Sequence, residues 1–224
     1  LGSALSSIYT ACGFEVVKEY YVNDAGRQMD ILAASVYLRM KEATGRETRY
    51  PSLAYQGDYV RRIAENQLKS SLLDIEIEEF AFDEVELKGE SDSDLDNLIA
   101  EIKEVLGIEK FARLKAYAAS VITGSIREDL ENFRVDFEEW YSEQKMHDCG
   151  MIDSVLSNLD SKGHTYIRDK ATWFSSAALG DEKDRVLIRE NGAKTYFAAD
   201  VAYHSDKFNR CFTITLVWLI LILF

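Results

Sequence analysis

The sequence predicts an α/β fold in which a parallel sheet is flanked by helices and interrupted by a mostly helical, acidic insertion. Three observations lead there. A β-rich, mostly apolar stretch, FEVVKEYYV (14–22), stands between two stretches of helical character, and alternation of that kind favours strands joined through helices, hence parallel pairing. With 224 residues, 47% of them hydrophobic, the chain can bury a sizeable core. Its middle, 74–96, is by contrast dense in Asp and Glu and ends in GESDSDLD, the composition of a solvated insertion.

The elements follow in order. LGSALSSIYTACG reads as the later turns of a helix closed by Gly13, and because it opens on Leu1 with no charged leader, more sequence is expected before it. After the β-rich stretch, YYVNDAGRQMD (20–30) carries Asn23, Asp24 and Gly26, residues that any tight connection would use. Turn chemistry alone explains them, yet they sit at the carboxyl end of a strand, where ligands of parallel sheets bind. Met29, Leu32, Ala33, Val36 and Met40 then return at helical spacing over 26–44. Pro51 lies in the connection RYPSLAYQGD, and DYVRRIAENQLKSSLL starts a second helix for which Asp58 can serve as N-cap. Beyond the acidic segment the spacing predicts one long helix from about 94 to 120.

Strands and short helices resume at VDFEEWYS (135–142). HTYIRDKATWFSS places polar RDK between two β-prone runs, and VLIRENGAKTYFAAD turns at Asn191–Gly192. The last 14 residues, CFTITLVWLILILF (211–224), are abruptly apolar but short of the roughly 20 that cross a bilayer as a helix. Two readings of this tail stay open, a buried strand and foreign sequence joined to the chain.

Composition narrows the function classes. Against 26 basic residues stand 39 acidic ones, a net charge of -13, so the chain has no overall basic field for a phosphate backbone. Cys12, Cys149 and Cys211 are odd in number and lack CxxC spacing, which suits a reducing, cytoplasmic setting. His147, His164 and His204 show no metal-ligand spacing, and GxSxG, Walker A and GxGxxG sequences are absent. Neither a metal site nor a catalytic residue is therefore assigned. His147 and Cys149 in MHDCG are close in sequence only, which is not the geometry of a cysteine hydrolase. Lys183 and Arg185 in GDEKDRVLIR could approach a phosphate, but a loop of mixed charge is ordinarily a solvated face.

Tyr196 and Asp200 in TYFAAD say more, since a separation of four puts both on one face of a strand or a helix. A carboxylate beside a phenol ring suits a cationic group, above all a guanidinium. The plain alternative is that Asp200 caps a helix beginning at VAYHSDKF while Tyr196 packs in the core.

Taken together, YYVNDAGRQMD, AYQGDYV, DFEEWYSE, GDEKDRVLIRENG and TYFAADVAYHSDKF resemble, in order and spacing, the catalytic domain of arginyl-tRNA synthetases. The resemblance runs from Leu1 to about Arg210. It implies a Rossmann-type class I ligase, incomplete at both ends: 1–44 as the first part of the catalytic domain, 45–134 as insertion, 135–210 as its second part, and 211–224 as a tail outside the family. It implies ATP as a substrate with Mg2+, activation of L-arginine to an arginyl-adenylate, and transfer to tRNA(Arg) by a cytoplasmic, monomeric enzyme without a membrane. It also implies that Tyr196, Asp200, Asn23, Asp24 and Gln28 form the arginine site, Asp200 facing the guanidinium. The family's HIGH-type and KMSK-type sequences are absent from the chain, so little adenylation is expected of it alone. The runner-up is a non-catalytic interaction or regulatory module that keeps the synthetase fold.

Overall fold

A computed structural model describes residues 2–46, 48, 50–70, 73, 75 and 91–210, so the apolar tail and most of the acidic segment lie outside the described residues. Contacts group the chain into two units, Asp24–Asp136 and the flanking segments Leu1–Asn23 and Phe137 onward.

In Asp24–Asp136 the organising element is α2 (Arg27–Ala43), buried continuously from Ile31 to Lys41. It starts directly after Gly26, whose φ of 81° only glycine adopts without strain. Around it pack three helices, each apolar on one face. α3 (Asp58–Ser70) buries Val60, Ile63, Ala64 and Gln67; α4 (Asp92–Leu106) buries Leu95, Leu98, Ile99, Ile102 and Leu106; α5 (Ile108–Asn132) buries Phe111, Leu114 and Ala118. Because α2 has no solvent face from Ile31 to Lys41, its polar side chains there need partners. The Ser35 hydroxyl donates to Ile31 O at 2.7 Å and accepts from Tyr55 N at 3.1 Å. Arg39 donates to Glu42 at 2.6 Å and stacks 3.4 Å above the Tyr50 ring. At the rim, Lys103 and Lys115 meet Asp30 at 2.8 and 3.3 Å, while Arg27 meets Asp92 and Asp96 at 3.0 and 2.7 Å.

The single helix expected over 94–120 is two. Gly107, at φ 76° and ψ 150°, ends α4 and starts α5, which then runs on to Asn132. The apolar spacing on both sides is helical, and a lone glycine inside such a pattern does not announce that its backbone leaves the helix. The start of α4 is held by a capping box of Ser91 and Asp94.

The other unit opens with α1 (Gly2–Ala11), closed at Gly13 as expected, with Phe14 N bonded to Tyr9 O at 3.1 Å. β1 (Glu19–Val22) pairs in parallel with β2 (Glu139–Ser142), Glu19 opposite Glu139 and Val22 opposite Ser142. β1 covers only the end of the β-rich stretch, since β2 offers four partners and then turns into α6 (Glu143–Asp148). The Ser142 hydroxyl caps that helix, accepting from Lys145 N at 3.1 Å, and α7 (Met151–Ser161) follows after Gly150.

A second, antiparallel sheet comprises β3 (Thr165–Arg168), β4 (Ala171–Phe174) and β5 (Arg185–Ile188). Among the described residues, parallel pairing is thus confined to β1 and β2. The polar run RDK explains the difference: it leaves only Asp169 and Lys170, at φ 52° and 58°, between β3 and β4, enough for a hairpin and too little for a parallel crossover. After the Asn191–Gly192 turn comes α8 (Tyr196–Asn209), which shares a core with α6, α7 and β5 built on Met146, Ile152, Leu156, Leu187, Ala198, Ala199, Ala202 and Tyr203.

The units divide at 23/24 and 136/137, whereas the sequence reading drew its boundaries at 44/45 and 134/135. The first difference arises because α2 packs on α3, α4 and α5.

Candidate functional site

α8 begins one turn earlier than a helix capped by Asp200 would. Thr195 is its N-cap, the hydroxyl accepting from Ala198 N at 3.3 Å and donating to Val186 O at 2.7 Å, which ties the helix start to β5. Tyr196 is therefore the first helical residue and Asp200 the fifth, one turn apart on the same face. Neither half of the plain alternative holds: Asp200 caps nothing, and Tyr196, 81% exposed, is no core residue. Neither side chain has a hydrogen bond or ion pair among the described residues, so phenol and carboxylate are both available to a ligand. Partial burial raises the Asp200 carboxyl above its ordinary pKa, opposed by His204 one turn further along. His204 is itself lowered, first by burial and then by Lys207, which favours its neutral form at neutral pH.

Asn23 is exposed and follows β1 directly. Two residues before it, Tyr21 packs edge-on against Tyr203 with ring centroids 4.7 Å apart. From that contact Asn23 is about 7 Å along the strand, and Asp200 about 4.5 Å along the helix. Asn23, Tyr196 and Asp200 thus belong to one unit, and the Tyr21–Tyr203 contact is one of those that link β1 to α8. Asp24 and Gln28 belong to the other unit. There Gln28 Oε1 accepts from Tyr55 Oη at 2.8 Å, joining the start of α2 to the AYQGDYV connection.

The loop GDEKDR is organised from within. Arg185 donates to Asp181 through Nε and Nη2 at 2.8 and 2.9 Å, which holds the Asp181 carboxyl well below the usual range. Asp184 accepts from Tyr166 Oη at 2.7 Å and Ala177 N at 3.0 Å. Arg185 is therefore committed to its own loop, while Lys183 stays exposed. Among the described residues no group of His, Cys, Asp and Glu could hold a metal ion, and no helix is long and apolar enough to cross a membrane.

Sequence reasoning missed a cluster at the other end of β1. Glu19, its side chain 8% exposed, accepts from Tyr203 Oη and from Arg210 Nη1 at 2.7 Å, with Lys207 Nζ at 3.5 Å. Arg210 Nε also reaches Asp206 at 2.8 Å. The helical spacing of Tyr203, Lys207 and Arg210 could have suggested a shared stripe, but nothing local to Glu19 marks it as their partner.

No protein-family model matches the chain. Among curated proteins, an arginine–tRNA ligase of Hydrogenovibrio crunogenus is 44% identical over 229 residues, covering 97% of this chain and 39% of that protein. One of Acidithiobacillus ferrooxidans is 47% identical over 215 residues, covering 95% and 37%. A crystal structure of a Campylobacter jejuni protein described as an arginyl-tRNA synthetase superposes with a TM-score of 0.65 at 30% identity, over 93% of this chain and 40% of that one. The chain belongs to the arginyl-tRNA synthetase family. It spans about two fifths of the length of these synthetases. Both the strand end with Asn23 and the helix with Tyr196 and Asp200 fall inside the span that matches.

Proposed function

We propose that the chain supplies the arginine-recognising part of an arginine–tRNA ligase, an enzyme that activates L-arginine with ATP and passes the arginyl group to tRNA(Arg). The supporting observation is the pair Tyr196 and Asp200: an exposed phenol and an exposed, unpaired carboxylate one helical turn apart, in a chain whose curated relatives are arginine–tRNA ligases. A guanidinium can donate two parallel N–H bonds to that carboxylate and lie against the ring. Asn23, Asp24 and Gln28 are assigned to the same substrate, meeting its polar groups. The parallel pairing of β1 and β2, with Asn23 just past a strand end, supports the assignment and a Rossmann-type fold as part of the same proposal. ATP enters as substrate with Mg2+ on its phosphates, and a cytoplasmic, monomeric enzyme is the expected setting. The division into 1–44, 45–134, 135–210 and 211–224 belongs to this proposal.

Calorimetric titration of the chain with L-arginine tests it. Asp200→Ala is expected to weaken binding about 10-fold or more, the size of one lost hydrogen bond to a charged group. Equal affinity for the chain and the variant would refute the role of Asp200.

A further inference from the structure

We infer that Glu19 is a positioning residue for arginine recognition: it clamps the second half of α8 onto β1 and thereby sets where the first half presents Tyr196 and Asp200.

The geometry behind this is specific. Two side chains of α8, Tyr203 and Lys207, and that of its C-cap, Arg210, converge on one carboxylate whose side chain is 8% exposed. They lie at positions i, i+4 and i+7, so a single stripe of the helix, two turns long, is fixed against a single point of the strand. Tyr203 extends the clamp through its ring, which lies 4.7 Å from both Tyr21 and Tyr141 on the paired strands. Lys207 Nζ lies 4.2 Å from the Tyr203 ring centroid, and the Arg210 guanidinium 5.3 Å from that of Tyr141. Asp200 stands three residues from Tyr203, less than one helical turn. A shift or roll of α8 at Tyr203 therefore moves Asp200 nearly as far, and an error of about 1 Å in a bidentate pairing costs much of it. The other end of the helix is held separately, by the Thr195 cap on β5 and by Ala198 and Ala199 in the core shared with α7 and β5.

This role rests on the arginine site proposed above, and the test separates the two. The chain, Glu19→Gln and Asp200→Asn are titrated with L-arginine and with L-citrulline, its uncharged counterpart, and amide hydrogen exchange is followed along α8 without ligand. The chain is expected to prefer arginine, and Asp200→Asn to abolish that preference. Glu19→Gln is expected to narrow it at least fivefold and to speed exchange in α8 at least tenfold, with α7 unchanged. A structural role alone would weaken both ligands equally and leave the preference intact, which overturns the inference. So does unchanged exchange in α8. If the chain shows no preference for arginine, the assignment of Asp200 fails, and exchange alone decides whether Glu19 holds the helix. Tyr203→Phe, which keeps the ring and removes one donor, gives the same readout at smaller amplitude should Glu19→Gln not fold.

Discussion

Glu19 carries its charge in a place where a carboxylate would ordinarily lose it. Burial alone raises its pKa, but the hydrogen bonds of Arg210 and Tyr203 and the charges of Arg210 and Lys207 outweigh that, and the net shift is downward from 4.5. A folded-state value below the unfolded one means the stabilisation is complete above about pH 4.5 and is lost as pH falls through the folded value. Glu19→Gln is therefore expected to lower stability by about 2 kcal/mol at pH 7, the size of a hydrogen bond to a charged group. The gap between chain and variant narrows as the pH falls below about 4.5, as thermal melts across the acid range would record; a gap independent of pH would contradict the account. Tyr203 shifts the opposite way, raised first by burial and then by Glu19, so the pair stays anionic on one side and neutral on the other at neutral pH. Legibility at this scale depends on sequence distance. Tyr196 and Asp200 could be paired from their spacing because they share a helix. Glu19 could not be matched to Tyr203 and Arg210, which stand 184 and 191 residues away.

Among the elements, the α4–α5 junction shows what periodicity conveys and what it hides. The apolar spacing correctly marks both helices, yet the break is a backbone event at Gly107. An added Cβ there meets nothing within 4 Å, so the cost of Gly107→Ala is purely conformational. The region near φ 76° and ψ 150° belongs essentially to glycine, and holding an alanine in it costs about 1–3 kcal/mol. Gly124, inside α5 with equally open surroundings, is the converse case. There Gly124→Ala is expected to stabilise by about 0.5–1 kcal/mol through helix propensity and a less disordered unfolded chain. Urea midpoints of the two variants should move in opposite directions; movement the same way would refute the conformational argument. The hairpin between β3 and β4 was legible only in part: RDK stood out as a polar break between two β-prone runs, while the antiparallel pairing that so short a connection imposes was not read from it.

For the whole molecule, the division into two units depends on how α2 is surrounded. The resemblance placed this helix with β1, in the segment 1–44. Burial of every residue from Ile31 to Lys41 is instead a property of three later helices, which no local pattern in α2 reveals. Because Asp24–Asp136 has its own core of Ile31–Met40, Val60, Leu98, Ile102 and Leu114, it should fold when produced alone. Circular dichroism with a cooperative urea transition is the expected result; a spectrum of disordered chain would show that its core is insufficient. The parallel relation of β1 to β2 was legible from α/β alternation, whereas the extent of the pairing was not, being set by where β2 ends.

That pairing has a consequence in time. Paired residues of β1 and β2 are 120 residues apart in sequence, as are Lys18 and Glu138, which also bond. At a synthesis rate of roughly 5–20 residues per second, β1 leaves the ribosome about 6–24 s before its partner exists. During that interval Glu19 lacks Tyr203 and Arg210, and the strand exposes backbone donors and acceptors that any other extended segment could take. The helices of Asp24–Asp136 meanwhile form through nearer contacts, which makes the intervening loop shorter in effect and its closure less costly. The helical segment is thus placed in the chain where its early folding lowers the cost of bringing the two strands together.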